Sequence, residues 1–232
     1  MGHRQRPVGA EGRAAALGLL AAAAAGLLSA CPGPRDRASR LDIPADFAVP
    51  ADFVDAVGAL ERLTQAPARP LVGVDPSGGE RVTGGRAFHL PEADAEKLVR
   101  TLQARFLERE FYLFRHEHHF GINGEPDELG LPPTRDPYEV LTLMGTNGWN
   151  YDIGPDSIVT WLRTLEREQA FALTGIGFDF DEGRFTSDIR DARALAQRFY
   201  EFCPDIVDQG TASVRALAAH LRRLRELYCW WD

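Results

Sequence analysis

Residues 155–180 read PDSIVTWLRTLEREQAFALTGIGFDF. Pro155 or Asp156 opens a helix, since a proline suits the first helical position, where its missing N–H is not needed. Ile158, Val159, Leu162 and Leu165 recur at spacings of three and four, which places them on one face. From Phe171 the period changes. Ile176, Phe178 and Phe180 alternate with smaller or polar residues, which predicts one long strand over 171–180 with those three on a common face. A one-faced helix followed directly by a strand must bury both apolar surfaces against further elements.

The same grammar continues toward the C-terminus. Ser187 or Asp188 caps a helix carrying Ile189, Ala192, Ala196 and Phe199, and Pro204 blocks its continuation. Val214, Leu217, Ala218, Leu221 and Leu224 mark the last helix, and residues 227–231 (LYCWW) the last strand.

Toward the N-terminus, Asp136-Pro137 supplies a cap and a first-position proline for a helix to Met144, with Gly145 placed to end it. Residues 111–114 (FYLF) form an aromatic-rich strand that runs into Arg115-His116-Glu117-His118-His119, and Asn123-Gly124 is a hairpin-grade turn. Pro91 opens a helix with Ala95, Leu98, Val99, Leu102 and Phe106 inward, its first turn holding Glu92, Asp94 and Glu96 where they suit the helix dipole. Residues 71–74 make a short strand, to which Phe88-His89-Leu90 pairs. Asp52 or Pro50 starts a helix with Phe53, Val54, Val57 and Leu60 on one side. Alternation of helix and strand from Pro137 onward predicts an α/β or α+β fold: a mixed sheet with helices packed on it. The main domain is residues 111–232, and an α/β segment, 46–110, extends it on the N-terminal side.

The first 45 residues have a different character. His3, Arg4, Arg6 and Arg13 precede an uncharged, alanine-rich run from Ala14 to Leu28, and Ser29-Ala30 lead directly into Cys31. A charged lead, a short apolar core and small residues at a cleavage site make an export signal. The run is too short and too alanine-rich for a spanning helix, which needs about 20 apolar residues. Residues 1–30 therefore read as a lipoprotein signal, Cys31 as the lipidated first mature residue, and 31–45 as a polar tether. Stable anchoring takes more than one acyl chain on that cysteine. The expected location is the cell envelope, held to a membrane through this lipid.

The whole chain has a net charge of −8. Removing residues 1–30 leaves 23 of the 26 basic and 33 of the 34 acidic residues, a net of −10. Such a chain is a poor partner for nucleic acid, whose binding depends on Lys and Arg neutralising phosphates. With Cys31 lipidated, Cys203 and Cys229 are the remaining thiols; they either pair in an oxidising compartment or stay buried and free.

Residues 111–117 (FYLFRHE), 136–141 (DPYEVL), 145–152 (GTNGWNYD), 203–210 (CPDIVDQG) and 228–232 (YCWWD), in that order, resemble the bacterial domain of unknown function family 4253. The resemblance covers about residues 111–232. It implies that these loops matter together, and it implies no reaction.

Three groups are candidates for chemistry. His116 and His118 fall on one face if the strand from Phe111 continues, and two imidazoles with Glu117, Asp205 or Asp208 can share a divalent metal and activate a water for hydrolysis. The spacing lacks the H-E-x-x-H pattern, and a polar strand end is the plainer reading. Cys203 lies near Asp205 and Asp208, which work against a thiolate nucleophile; a helix-to-helix connector turned by Gly210 and capped by Thr211 or Ser213 accounts for the same residues. The loop 146–152 offers Asn147, Trp149, Asn150 and Tyr151, amides that orient and aromatics that anchor a ligand, with Trp230 or Trp231 lining a cleft. No Walker-type loop, G-x-S-x-G elbow or CxxC pair occurs. A binding domain for a protein or envelope ligand, with no cofactor, is the leading expectation; a divalent metal belongs only to the hydrolase alternative.

Overall fold

The computed structural model describes residues 39–75, 77–119 and 125–231. The expected signal, Cys31, the start of the expected tether and the expected Asn123-Gly124 turn lie outside them. In chain order the elements are α1 (Phe53–Thr64), β1 (Arg69–Val74), β2 (Glu80–Leu90), α2 (Glu92–Leu107), β3 (Phe114–Glu117), β4 (Asp127–Leu131), α3 (Pro137–Met144), α4 (Pro155–Glu168), β5 (Phe171–Ile176), β6 (Phe180–Phe185), α5 (Ala192–Phe202), α6 (Val214–Leu224) and β7 (Glu226–Trp230). All seven strands join one sheet in the order β1-β2-β4-β3-β5-β6-β7. Every pairing is antiparallel except β3 with β5, which is parallel. This is the mixed sheet that the alternation predicts. The 46–110 segment is continuous with it, because β2 pairs directly with β4.

The local signals act as chemistry requires. Asp52 caps α1 by accepting from the N–H groups of Val54 and Asp55, and Asp136 caps α3 by accepting from Tyr138 N–H. Both satisfy backbone donors that the first helical turn leaves without partners. Successive strand residues point to opposite faces, so Ala87 and Phe88 of β2 enter different cores. Ala87, Leu71, Phe114, Leu173, Phe185, Leu227 and Cys229 pack beneath α3, α4, α5 and α6. Phe88, Leu90, Leu129 and Leu131 pack beneath α1 and α2. Helices thus cover both faces. Each fully buried Phe or Leu is worth about 1.5–3 kcal/mol. No helix among the described residues is long and apolar enough to cross a membrane.

Five local expectations are corrected. The single strand over 171–180 is two strands, because the chain reverses at Gly177-Phe178-Asp179, with Gly177 N–H donating to Phe180 O at 2.9 Å. Phe178 sits at the tip, 37% exposed, and not on a face with Ile176. β3 begins at Phe114; residues 111–113 are buried but outside the ladder. The helix before Pro204 starts later, with Asp191 as its cap. Val54 on α1 is 75% exposed and faces away from the core. Phe88-His89-Leu90 pairs with β4, while the earlier part of β2 pairs with β1.

Candidate functional site

The β5–β6 hairpin that the alternation concealed is the platform for the 146–152 loop. Its three tip carbonyls are all engaged from the C-terminal half of the chain. Thr146 Oγ1 donates to Gly177 O at 2.6 Å, Asn147 N–H to Phe178 O at 2.8 Å, and Trp231 N–H to Asp179 O at 2.9 Å. The loop then closes on itself through Gly148 N–H to Ile153 O at 2.7 Å and Ile153 N–H to Gly148 O at 3.1 Å. Gly148 lies flat on the Trp231 indole, and a Cβ there would meet Trp231 Cδ1 at 2.7 Å. Trp149 to Tyr151 form a short 3-10 turn on this base.

The loop also joins the Cys203–Gly210 segment. Tyr151 OH donates to Asp205 Oδ1 at 2.6 Å, and Gln209 Nε2 donates to the same oxygen at 3.0 Å. Loss of solvation and then this hydrogen bond push the Tyr151 phenol above its ordinary range. Residues Ile206–Thr211 form one π-helical turn between α5 and α6, a local form often found at functional sites. Pro204 and Ser213 behave as a connector requires, and Ser213 Oγ caps α6 by accepting from Ala216 N–H. Asp208 is exposed and accepts from the Tyr200 hydroxyl. Gly210 sits against the half-buried Trp230 ring, where a Cβ would meet Cη2 at 2.8 Å.

Two groups distant in sequence, the 146–152 loop and the Asp205–Asp208 turn, therefore form one surface. Trp149 is 71% exposed and Tyr151 37%, and Asn150 lies on the same outer side. Asn147 plays a different part. It is buried, and its amide donates to Gly145 O at 2.8 Å and Phe178 O at 3.3 Å. It holds the loop and is not available to touch a ligand. Trp231 belongs to the core, edge-on to Phe202 at 5.7 Å.

Behind the loop lies a buried polar set. Cys203 and Cys229 are free and fully buried, in hydrogen-bond contact with each other. Burial raises the Cys229 thiol, and Cys203 Sγ donates to Trp230 O at 2.9 Å. Asp181, cross-strand from Cys229, is completely buried, and among the described residues neither carboxyl oxygen has a hydrogen-bond partner. Burial, aided by the charge of Glu182, pushes it up to about 8.

His116 and His118 do not share a face. β3 stops at Glu117, and its register against β4 shifts between Arg115 and Glu117. His116 Nδ1 lies 3.2 Å from Ile176 O and its Nε2 3.9 Å from Glu128. His118 Nε2 lies 3.1 Å from Glu92, 3.4 Å from Arg115 and 3.9 Å from Asp127. Asp127 and Glu128 are successive residues of one strand, so the two imidazoles meet opposite sides of the sheet. Among the described residues, no three His, Cys, Asp or Glu side chains are grouped to hold a metal; Asp205 and Asp208 sit with Tyr151 and Tyr200, away from the imidazole contacts. The partners Glu92, Asp127, Glu128 and Glu182 carry no local motif. Only strand order could have revealed them. Burial raises Asp127 despite the nearby His118, His119 N–H and Arg115, while the hydrogen bond with His118 lowers Glu92.

Neither a curated protein nor a solved structure matches the chain. Residues 128–232, which carry the 146–152 loop, the π turn and β7, match the family described as Domain of unknown function (DUF4253).

Proposed function

We propose that this is an exported protein, lipid-anchored at Cys31 in the cell envelope, whose C-terminal domain binds a partner protein through the Trp149 surface without catalysing a reaction. One observation carries the reading. Trp149 exposes 71% of its surface on a loop fixed by the Gly148–Ile153 bridge and the Tyr151–Asp205 hydrogen bond. An exposed indole normally costs solubility, and holding one rigid lowers the entropy lost on binding. Rigid, exposed aromatics are the residues that dominate binding hot spots. The basic lead, the apolar run 14–28 and Ser29-Ala30 before Cys31 support export and lipidation.

The test is photo-crosslinking in the producing cell. A benzophenone amino acid at position 149 should give a discrete adduct on irradiation, whereas the same probe at Val82, 66% exposed in the N-terminal part, should not. Equal adducts at both positions, or none at either, would refute the binding surface. A labelled fatty acid should enter the parent chain and not the Cys31→Ser variant; equal labelling would remove the anchor.

A further inference from the structure

The charge around Trp149 is one-sided. Residues 146–162, 199–214 and 226–231 contain no Lys, Arg or His, although the chain holds 26 Lys and Arg. They meet at this end of the domain through Tyr151–Asp205, Gly148–Trp231 and Gly210–Trp230. Asp152, Asp156, Glu201 and Asp208 are exposed there, and among the described residues none of the four forms an ion pair. Beside the loop runs a shallow open groove lined by Asp156, Trp161 and Phe202, its floor made by the Trp161 and Phe202 rings stacked 4.4 Å apart. Phe202 touches Trp231, on which Gly148 rests. Groove and Trp149 are therefore neighbours.

We infer that the partner presents an extended polypeptide segment in which Arg or Lys residues are interspersed with small or apolar ones. The inference rests on the binding reading above. Unneutralised acids attract cations from solution and repel anionic partners, lipid headgroups and nucleic acid included. An exposed indole face takes a guanidinium or ammonium group by cation–π attraction. The open groove suits the remaining side chains of a chain laid along it, where a small cation would find no enclosure.

The experiment uses the full chain, detergent-solubilised and immobilised, with two ten-residue probe peptides, one alternating Arg and Ala and one alternating Glu and Ala. The Arg peptide should bind at least about ten times more tightly than the Glu peptide. Trp149→Ala should weaken it about fivefold, and Asp152→Asn, Asp156→Asn, Asp208→Asn together should weaken it about tenfold or more. Asparagine tolerates the left-handed backbone of Asp152, φ 55°. A control carrying Asp42→Asn, Asp46→Asn and Asp55→Asn, exposed acids of the N-terminal part, should bind within twofold of the parent. Equal losses in the two triple variants, or indifference to Trp149→Ala, would overturn the inference by reducing it to net charge. If the Arg peptide fails while the adduct at position 149 persists, the cationic partner is wrong and the binding surface stands. If both fail, both readings fall.

Discussion

Arg115 and Glu182 reach over Gly175 to form a two-pronged ion pair, with Arg115 Nε donating to Oε1 at 2.8 Å and Nη2 to Oε2 at 2.7 Å. The three residues are one row of the sheet, since Arg115 is opposite Gly175 across the parallel step and Gly175 is opposite Glu182 across the hairpin. A Cβ on Gly175 would stand 2.3 Å from Glu182 Cγ. The glycine is there so that side chains two strands apart can meet. Burial alone would depress the guanidinium, and the charge and hydrogen bonds of Glu182 outweigh it.

Both side chains are close to nine-tenths buried, so breaking the pair leaves a charge with poor solvation. Glu182→Ala should destabilise the protein by about 3–5 kcal/mol. Arg115→Met with Glu182→Leu should cost much less, within about 2 kcal/mol of the parent. Gly175→Ala should cost about 1–3 kcal/mol by overpacking. Urea unfolding of the four proteins checks the order; a double variant as unstable as Glu182→Ala would count against the pairing.

Asp181 makes stability depend on pH. Its ordinary value is 3.8 and in the fold it is pushed up to about 8. The folded state therefore holds a proton that the unfolded chain releases. The stability from that proton is fully present below about pH 3.8 and is lost as pH rises through about 8. Asp181→Asn carries no such proton, so it should gain on the parent between pH 5 and pH 9, on the order of 4 kcal/mol. Thermal unfolding at the two pH values measures this, and a pH-independent difference would exclude Asp181 as the source.

Trp149 and Tyr151 separate binding from stability. Trp149→Ala removes an exposed side chain and should change stability by less than about 0.5 kcal/mol. Tyr151→Phe removes the 2.6 Å hydrogen bond to Asp205 and should cost about 1–2 kcal/mol. Guanidinium titration distinguishes them. A large loss from Trp149→Ala would mean that the indole packs against the domain.

The thiols report on the core. Cys203 and Cys229 are both fully buried, and burial keeps the Cys229 thiol protonated. Iodoacetamide at pH 7.5 should leave both unmodified in the native protein and alkylate both in guanidinium without reductant, as read by peptide mass spectrometry. A requirement for reductant would establish a disulfide in place of the free pair.

Much of the fold was legible because its signals are local. The Asp136-Pro137 start, the Gly145 stop and the inward face of α2 each depend on residues within one or two turns. The β5–β6 reversal is hidden in the sequence because Phe178 continues the apolar alternation through the tip, where Gly177 and Asp179 are the turn residues. The histidines diverge from their expected common face for another reason. A register shift between neighbouring strands leaves no mark on the strand that carries it, so His116 and His118 looked equivalent. At the candidate surface, the aromatic loop could be read, but its union with Asp205 could not, since it depends on how α5, β7 and the hairpin tip come together.

The lone parallel step also decides how the gene can be cut. The family match begins at residue 128, one residue into β4, and omits β1, β2 and β3. A fragment starting there has lost the strand that lines β5, leaving its backbone donors and acceptors bare along a central, apolar part of the sheet. Such an edge recruits other chains. Expression of 128–232 alone should yield aggregate, whereas a boundary upstream of α1 keeps every interior strand between two neighbours.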